Sequence, residues 1–222
     1  MAPRATGGTA RGMLRRSLRA DADGRALVLA GQVSFLVFLG LAVALHPGFV
    51  LKRDEGGISN YGVHMKTAVP YTLAFVLCAV FSFRAALRYR HGEGSARRLG
   101  LLLLVYSALL VLTLASTYGY RHDPWLDRAH VVVGVATVAF EVLAAVWMAA
   151  QLRGGWDAVF LATQLVGAVL AGLTLVGALH VLFLGQALAD VGFALLLVHL
   201  AMVTPDGGER PSVRPSAEGP VA

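Results

Sequence analysis

Charge is what this chain has least of. Only 14% of its 222 residues are Asp, Glu, Lys or Arg, against 57% apolar. A soluble domain carries roughly 25% charged residues, so a chain wetted on all sides is excluded. Cysteine is almost absent as well. With Cys78 alone, no intrachain disulfide and no cysteine-built zinc or iron–sulfur site can form within one chain. Lysine occurs only at Lys52 and Lys66, and the other 17 basic residues are Arg. That bias, with abundant Ala, Gly, Val and Leu, is what a GC-rich bacterial genome encodes. Catalytic signatures are missing too: there is no G-x-S-x-G, H-E-x-x-H, Walker loop or dinucleotide fingerprint.

What the sequence does have is apolar length, with a mean hydropathy of +0.67. Crossing a hydrocarbon layer ~30 Å thick takes about 20 helical residues at ~1.5 Å each. Blocks of that length fall at residues 26–46, 68–89, 99–120, 129–151, 158–179 and 181–203. They predict an all-α polytopic membrane protein, a bundle of six transmembrane helices filling residues 26–203. Residues 1–25 and 204–222, rich in charge, Gly, Pro and Ser, read as disordered tails. The last two spans share one unbroken apolar run, and a tight turn near residues 177–180 divides it best. A turn at 185–190 would leave the final span too short. The basic arm, first span and Ala42-Val43-Ala44 imitate a cleavable signal, yet a signal core runs ~7–15 residues, so a retained helix is expected.

A pI near 10.0 raises nucleic acid as a partner. The Arg residues flank apolar blocks rather than forming one patch, so they read as topology-setting charge and no nucleic acid is expected. Fourteen of the 19 basic residues fall on one side: the N-terminal arm, the connection around Arg90 and Arg97, Arg153 and the tail. That side is expected to be the cytoplasm, with both termini there and the protein in the inner membrane. The connections holding Asn60 and Asp123 then face outward.

After the first span the chain reads His46-Pro47-Gly48-Phe49 and then Gly57-Ile58-Ser59-Asn60-Tyr61-Gly62. This resembles an uncharacterised family of bacterial six-helix membrane proteins with a PG…IS-x-x-G first outer loop. More distantly it is similar to the DRAM and Frag membrane proteins of eukaryotes. His130 opening the fourth span, Phe140 ten residues on, and Gly177 before an apolar run to His199 fit the same pattern. The sequence departs from it at Asn60, where an acidic residue is usual, and at Leu179-His180, where a Glu-Arg pair is frequent. The resemblance implies a six-helix fold. Through the eukaryotic relatives, which are linked to lipid remodelling, it also points toward lipid.

Glu141 is the most informative side chain. It lies ~18 Å below the start of its span, near mid-membrane, where an acid is by default a functional-site hypothesis. His130, Gly134, Thr137 and Glu141 recur at i, i+4, i+7 and i+11 and so share one helix face, expected to point into the bundle. Gln186 and Asp190 form a second stripe, continued by Phe193 and Leu197. Tyr106, Thr113, Thr117 and Tyr120 form a third, read mainly as polar packing. Gly167, Ala171 and Thr174 are small residues that let helices approach closely. His46, His64, His130 and His180 collect at outer helix ends. None has the spacing of a dedicated metal site, so no metal is assigned, and a bis-histidine haem is only an alternative. Ser59 with His64 as base has nothing else in its favour.

These residues predict a membrane-embedded binding module. The 20-residue first outer loop is expected to fold over the bundle's mouth and cap an outer-leaflet cavity for a lipid or other amphiphile. The candidate ligand contacts are His130, Thr137, Glu141, Gln186, Asp190, His64 and His180, with no cofactor. The alternatives are a lipid-modifying enzyme using Glu141 or Asp190 with His130, and a haem-binding electron carrier. Membrane lipid is the expected partner; a protein partner is not identified.

Overall fold

The computed structural model describes residues 8–50, 57–119 and 123–204, with only the backbone course of 8–23, 118 and 119. In chain order the helices are α1 (Gly8–Leu45), a single-turn α2 (Asn60–Val63), α3 (Ala68–Tyr89), α4 (Ser95–Gly119), α5 (Pro124–Leu152), α6 (Gly155–Leu175) and α7 (Leu182–Val203). No strand occurs among the described residues. Every helix except α2 is long and apolar enough to cross a membrane, giving six spans and an all-α, multi-pass membrane protein.

Local chemistry sets the helix ends. α5 begins at Pro124, earlier than the apolar block suggests, because Asp123 caps it. The Asp123 carboxylate accepts from the Trp125 N–H at 2.7 Å, and proline is well placed as the first helical residue. α1 also exceeds its apolar part. Its membrane-length portion is Gly24–Leu45, and helix continues back to Gly8 through a stretch expected to be disordered. Ala, Leu, Met and Arg dominate there and no proline interrupts, so local propensity favours continued winding.

The turn between α6 and α7 falls at Val176–Val181, as the expected division of the long apolar run requires. Gly177 takes a φ of +77°, the left-handed position that ends helices, and the Ala178 N–H donates back to the Leu173 carbonyl at 2.9 Å.

α1 packs on α3, α3 on α4, and α4 on α5, while α7 closes the ring against α5 and α1. α6 lies outside that ring, paired along its length with α7. Small residues make this contact possible. A Cβ on Gly185 would sit 2.5 Å from the Ala171 backbone nitrogen, and one on Gly167 would collide with the Ala189 backbone. The core lies between α3, α4 and α7, where Tyr71, Cys78, Leu103, Tyr106, Phe193 and Leu197 are buried. At the arginine-rich end His199 Nδ1–H donates to Asp157 Oδ1 at 2.6 Å. Asp157 Oδ2 accepts from the Gly154 N–H at 2.8 Å, fastening α7 to the start of α6.

The described parts of the connection between α1 and α3, residues 46–50 and 57–67, fold over the opposite end of the bundle, as expected of a loop with large apolar side chains. Phe49, Ile58 and Tyr61 are buried in it. The Tyr61 ring meets Phe49 edge to face at 5.2 Å and Phe183 of α7 at 5.8 Å. Thr67 Oγ1 donates to the Tyr61 carbonyl at 2.7 Å, and the Ile58 N–H donates to Gln186 Oε1 at 2.7 Å. Residues 57–67 therefore form a cap with its own buried face, pinned to α7.

Candidate functional site

Because α6 hangs on α7 outside the ring, its cap-end half stands away from α5, and a cavity of about 630 Å³ lies between α5, α6 and α7. Phe35, Phe75 and Leu110, on the neighbouring spans, form its back wall, and Gly57–Asn60 of the cap form its roof. The volume falls within the ~300–1,000 Å³ of small-molecule sites. Val131 and Val135 of α5 and Leu175 of α6 line the cavity and are also exposed on the bundle surface, so it opens sideways between those helices.

The 3.6-residue period brings the α5 stripe into this space: His130, Gly134, Thr137 and Glu141 all line it. Gln186 and Asp190 enter from α7, and His180 from the α6–α7 turn, where it is exposed. Six of the seven candidate ligand residues thus share one cavity. His64 does not line it. Its ring instead packs on His46 at 4.5 Å and Phe49 at 5.4 Å, within the cap. Phe193 and Leu197 continue the α7 stripe into the solid core rather than the cavity.

The polar groups form two tiers. Beneath the roof, Ser59 Oγ lies 2.9 Å from His130 Nε2, and Ser116 Oγ lies 2.9 Å from His130 Nδ1. Ser116 gives its proton to the Thr113 carbonyl at 2.9 Å, so it accepts from Nδ1–H; Nε2 is then the acceptor for the Ser59 hydroxyl. Thr113 and Thr137 hydroxyls meet at 3.2 Å just below. Nearby in the cap, burial pushes the Tyr61 phenol above its ordinary pKa.

The lower tier is acidic. Glu141 is 3% exposed, so it faces the bundle interior, as its mid-span position predicts. Asp190 is half-buried, ~12 Å along α7 from Leu182, and therefore lies well inside the helix rather than in a surface turn. The two carboxyls lie within electrostatic range of each other and of buried Cys78 and Tyr106. Among the described residues no Lys or Arg lines the cavity.

Sequence spacing missed the upper tier. Proximity in sequence offers Ser59 the ring of His64, five residues away, but His130, 71 residues away, is the histidine it meets. Asn60, on a connection expected on the outer side of the membrane, is a buried roof residue at 4% exposure. Thr113 and Ser116 join the site from α4, and Thr117 bonds Tyr71 at 3.1 Å, in keeping with a packing stripe. Tyr120 lies outside the described residues. Set against protein-family models, curated proteins and solved structures, the chain matches none of them.

Proposed function

We propose that this membrane protein binds a lipid or other amphiphile in the cavity between α5, α6 and α7. The observation that carries the reading is a cavity of about 630 Å³ with apolar walls, polar groups at two depths and a sideways mouth between two membrane-length helices. A ligand delivered from water would be served by an opening through the cap. Here the cap is pinned by Ile58 to Gln186 and Ser59 to His130, and the open side faces where acyl chains lie. With the arginine-rich end in the cytoplasm, the mouth would meet the outer leaflet. The family resemblance, through its lipid-linked eukaryotic relatives, points the same way.

A phospholipid bearing a diazirine near the middle of one acyl chain tests this in proteoliposomes. On irradiation, label is expected on cavity-facing residues of α5 and α6, Val135, Val138 and Ala168 among them. Label spread evenly over the outward faces of all six spans would overturn the reading.

The Ser59–His130 contact supports a second reading, an enzyme acting on a lipid head group, with His130 Nε2 placed to take the Ser59 proton. Ser116 rather than a carboxylate holds the other nitrogen, which leaves an imidazolium without the charged partner of a typical triad. Binding is therefore the stronger reading. The haem alternative would need free ring nitrogens, and both nitrogens of His130 are hydrogen-bonded to hydroxyls while His46 packs ring to ring on His64.

A further inference from the structure

Amphiphile binding alone does not account for the acidic lower tier. Glu141, on α5, is 97% removed from solvent, lines the cavity, and has no hydrogen bond or ion pair to another described residue. Asp190, on α7, is likewise without such a partner and faces the same space. The contrast with Asp157 is direct: that buried carboxylate is held by His199 and the Gly154 N–H. A carboxylate buried alone in apolar surroundings carries a large desolvation cost, which is met either by protonation or by a positive partner, and a cationic ligand can be that partner. Among the described residues the cavity wall supplies none, since no Lys or Arg lines it and its histidines lie at the roof and the turn.

We propose that the ligand is a cationic amphiphile, whose ammonium group sits between Glu141 and Asp190 while its hydrocarbon part fills the space between α5 and α6. This inference rests on the amphiphile reading, because it assigns that ligand's polar end. The chemistry matches on three counts. Two carboxyls offer up to four acceptor oxygens to the three N–H donors of a primary ammonium. The walls between them and the mouth, Val135, Val138, Ala168 and Leu175, are hydrocarbon. An anionic head group would meet like charge, and nothing in the lower tier would pair with it.

The test uses three probes with one tail: n-dodecylamine, 1-dodecanol and dodecanoate, titrated calorimetrically into phosphatidylcholine nanodiscs with and without the full-length protein. The expected result is a saturable one-to-one site for dodecylammonium, at least about tenfold tighter than dodecanol, which corresponds to about 1.4 kcal/mol. Dodecanoate is expected to bind weakest. Glu141→Gln, which keeps shape and hydrogen-bonding capacity, should reduce the preference, and Glu141→Gln with Asp190→Asn should bring dodecylamine to the level of dodecanol. Equal binding of all three probes to the wild type would overturn the cationic assignment and leave the amphiphile reading standing. So would an ammonium preference that survives in the folded double variant. Absence of a saturable site for any probe in the wild type would overturn both.

Discussion

Substituting Gly185 tests whether α6 is held against α7 closely enough to set the cavity's shape. An alanine Cβ there would lie 2.5 Å from the Ala171 nitrogen, 2.9 Å from the Gly167 oxygen and 3.0 Å from the Ala171 Cα. All three are backbone atoms, so no side chain can swing aside. Restoring ordinary contact at 3.4 Å requires the helices to part by about 0.9 Å, from the difference 3.4 − 2.5. A gap of ~0.5–1 Å forfeits a quarter to a half of the dispersion energy of each affected contact, and forced overpacking costs about 1–3 kcal/mol. Gly172→Ala is the control. It lies on α6 beside Ala171, yet its Cβ would meet nothing within 4 Å, so a change within about 0.5 kcal/mol is expected. Thermal unfolding midpoints in dodecyl maltoside give the comparison, with Gly185→Ala well below wild type and Gly172→Ala close to it. Equal midpoints for the two variants would refute the close α6–α7 contact and the cavity geometry built on it.

Two further predictions concern the ends of the bundle. In a Cys78→Ala background, Met65→Cys (Met65 is 92% exposed) and Asp123→Cys should react with an impermeant thiol reagent on intact cells while Gly94→Cys stays protected; the reverse pattern would invert the proposed topology. His130→Phe removes the bond that pins Ser59 and should lower stability by about 1–3 kcal/mol, read as a lower unfolding midpoint and faster proteolysis between residues 57 and 67. A midpoint and a cleavage rate equal to wild type would show that the Ser59–His130 contact does not hold the cap.

Most of the fold was legible because membrane helices are written as apolar length, and length alone separates six spans. The turn at Gly177 could be placed by the same count, since a later turn leaves too little helix to cross. The α5 stripe was legible through its period, which put His130, Thr137 and Glu141 on one face before any neighbour was known. What periodicity cannot give is which helix a face meets. Ser59 and His130 come together because α2 folds across to α5, a tertiary fact with no local signal. The burial of Asn60 has the same cause: a polar residue in a loop carries no local sign that it lies on the buried underside of a cap. His64 was grouped with the other helix-end histidines by depth, yet depth does not say whether a ring turns toward the cavity or into the cap. At the start of α1 two local signals compete: charge-rich composition argues for disorder, while helix propensity in the same residues argues for continued winding.

Occupancy of the cavity is the central claim, and native mass spectrometry of the detergent-purified protein measures it most directly. Gly134 and Gly172 line the cavity and a Cβ at either would meet nothing within 4 Å, so Gly134→Phe and Gly172→Phe are placed to occupy it. The wild type should carry one co-purified amphiphile per chain, and each phenylalanine variant should be folded and carry less. A wild type with no bound amphiphile, or variants that retain as much as the wild type, would contradict the account.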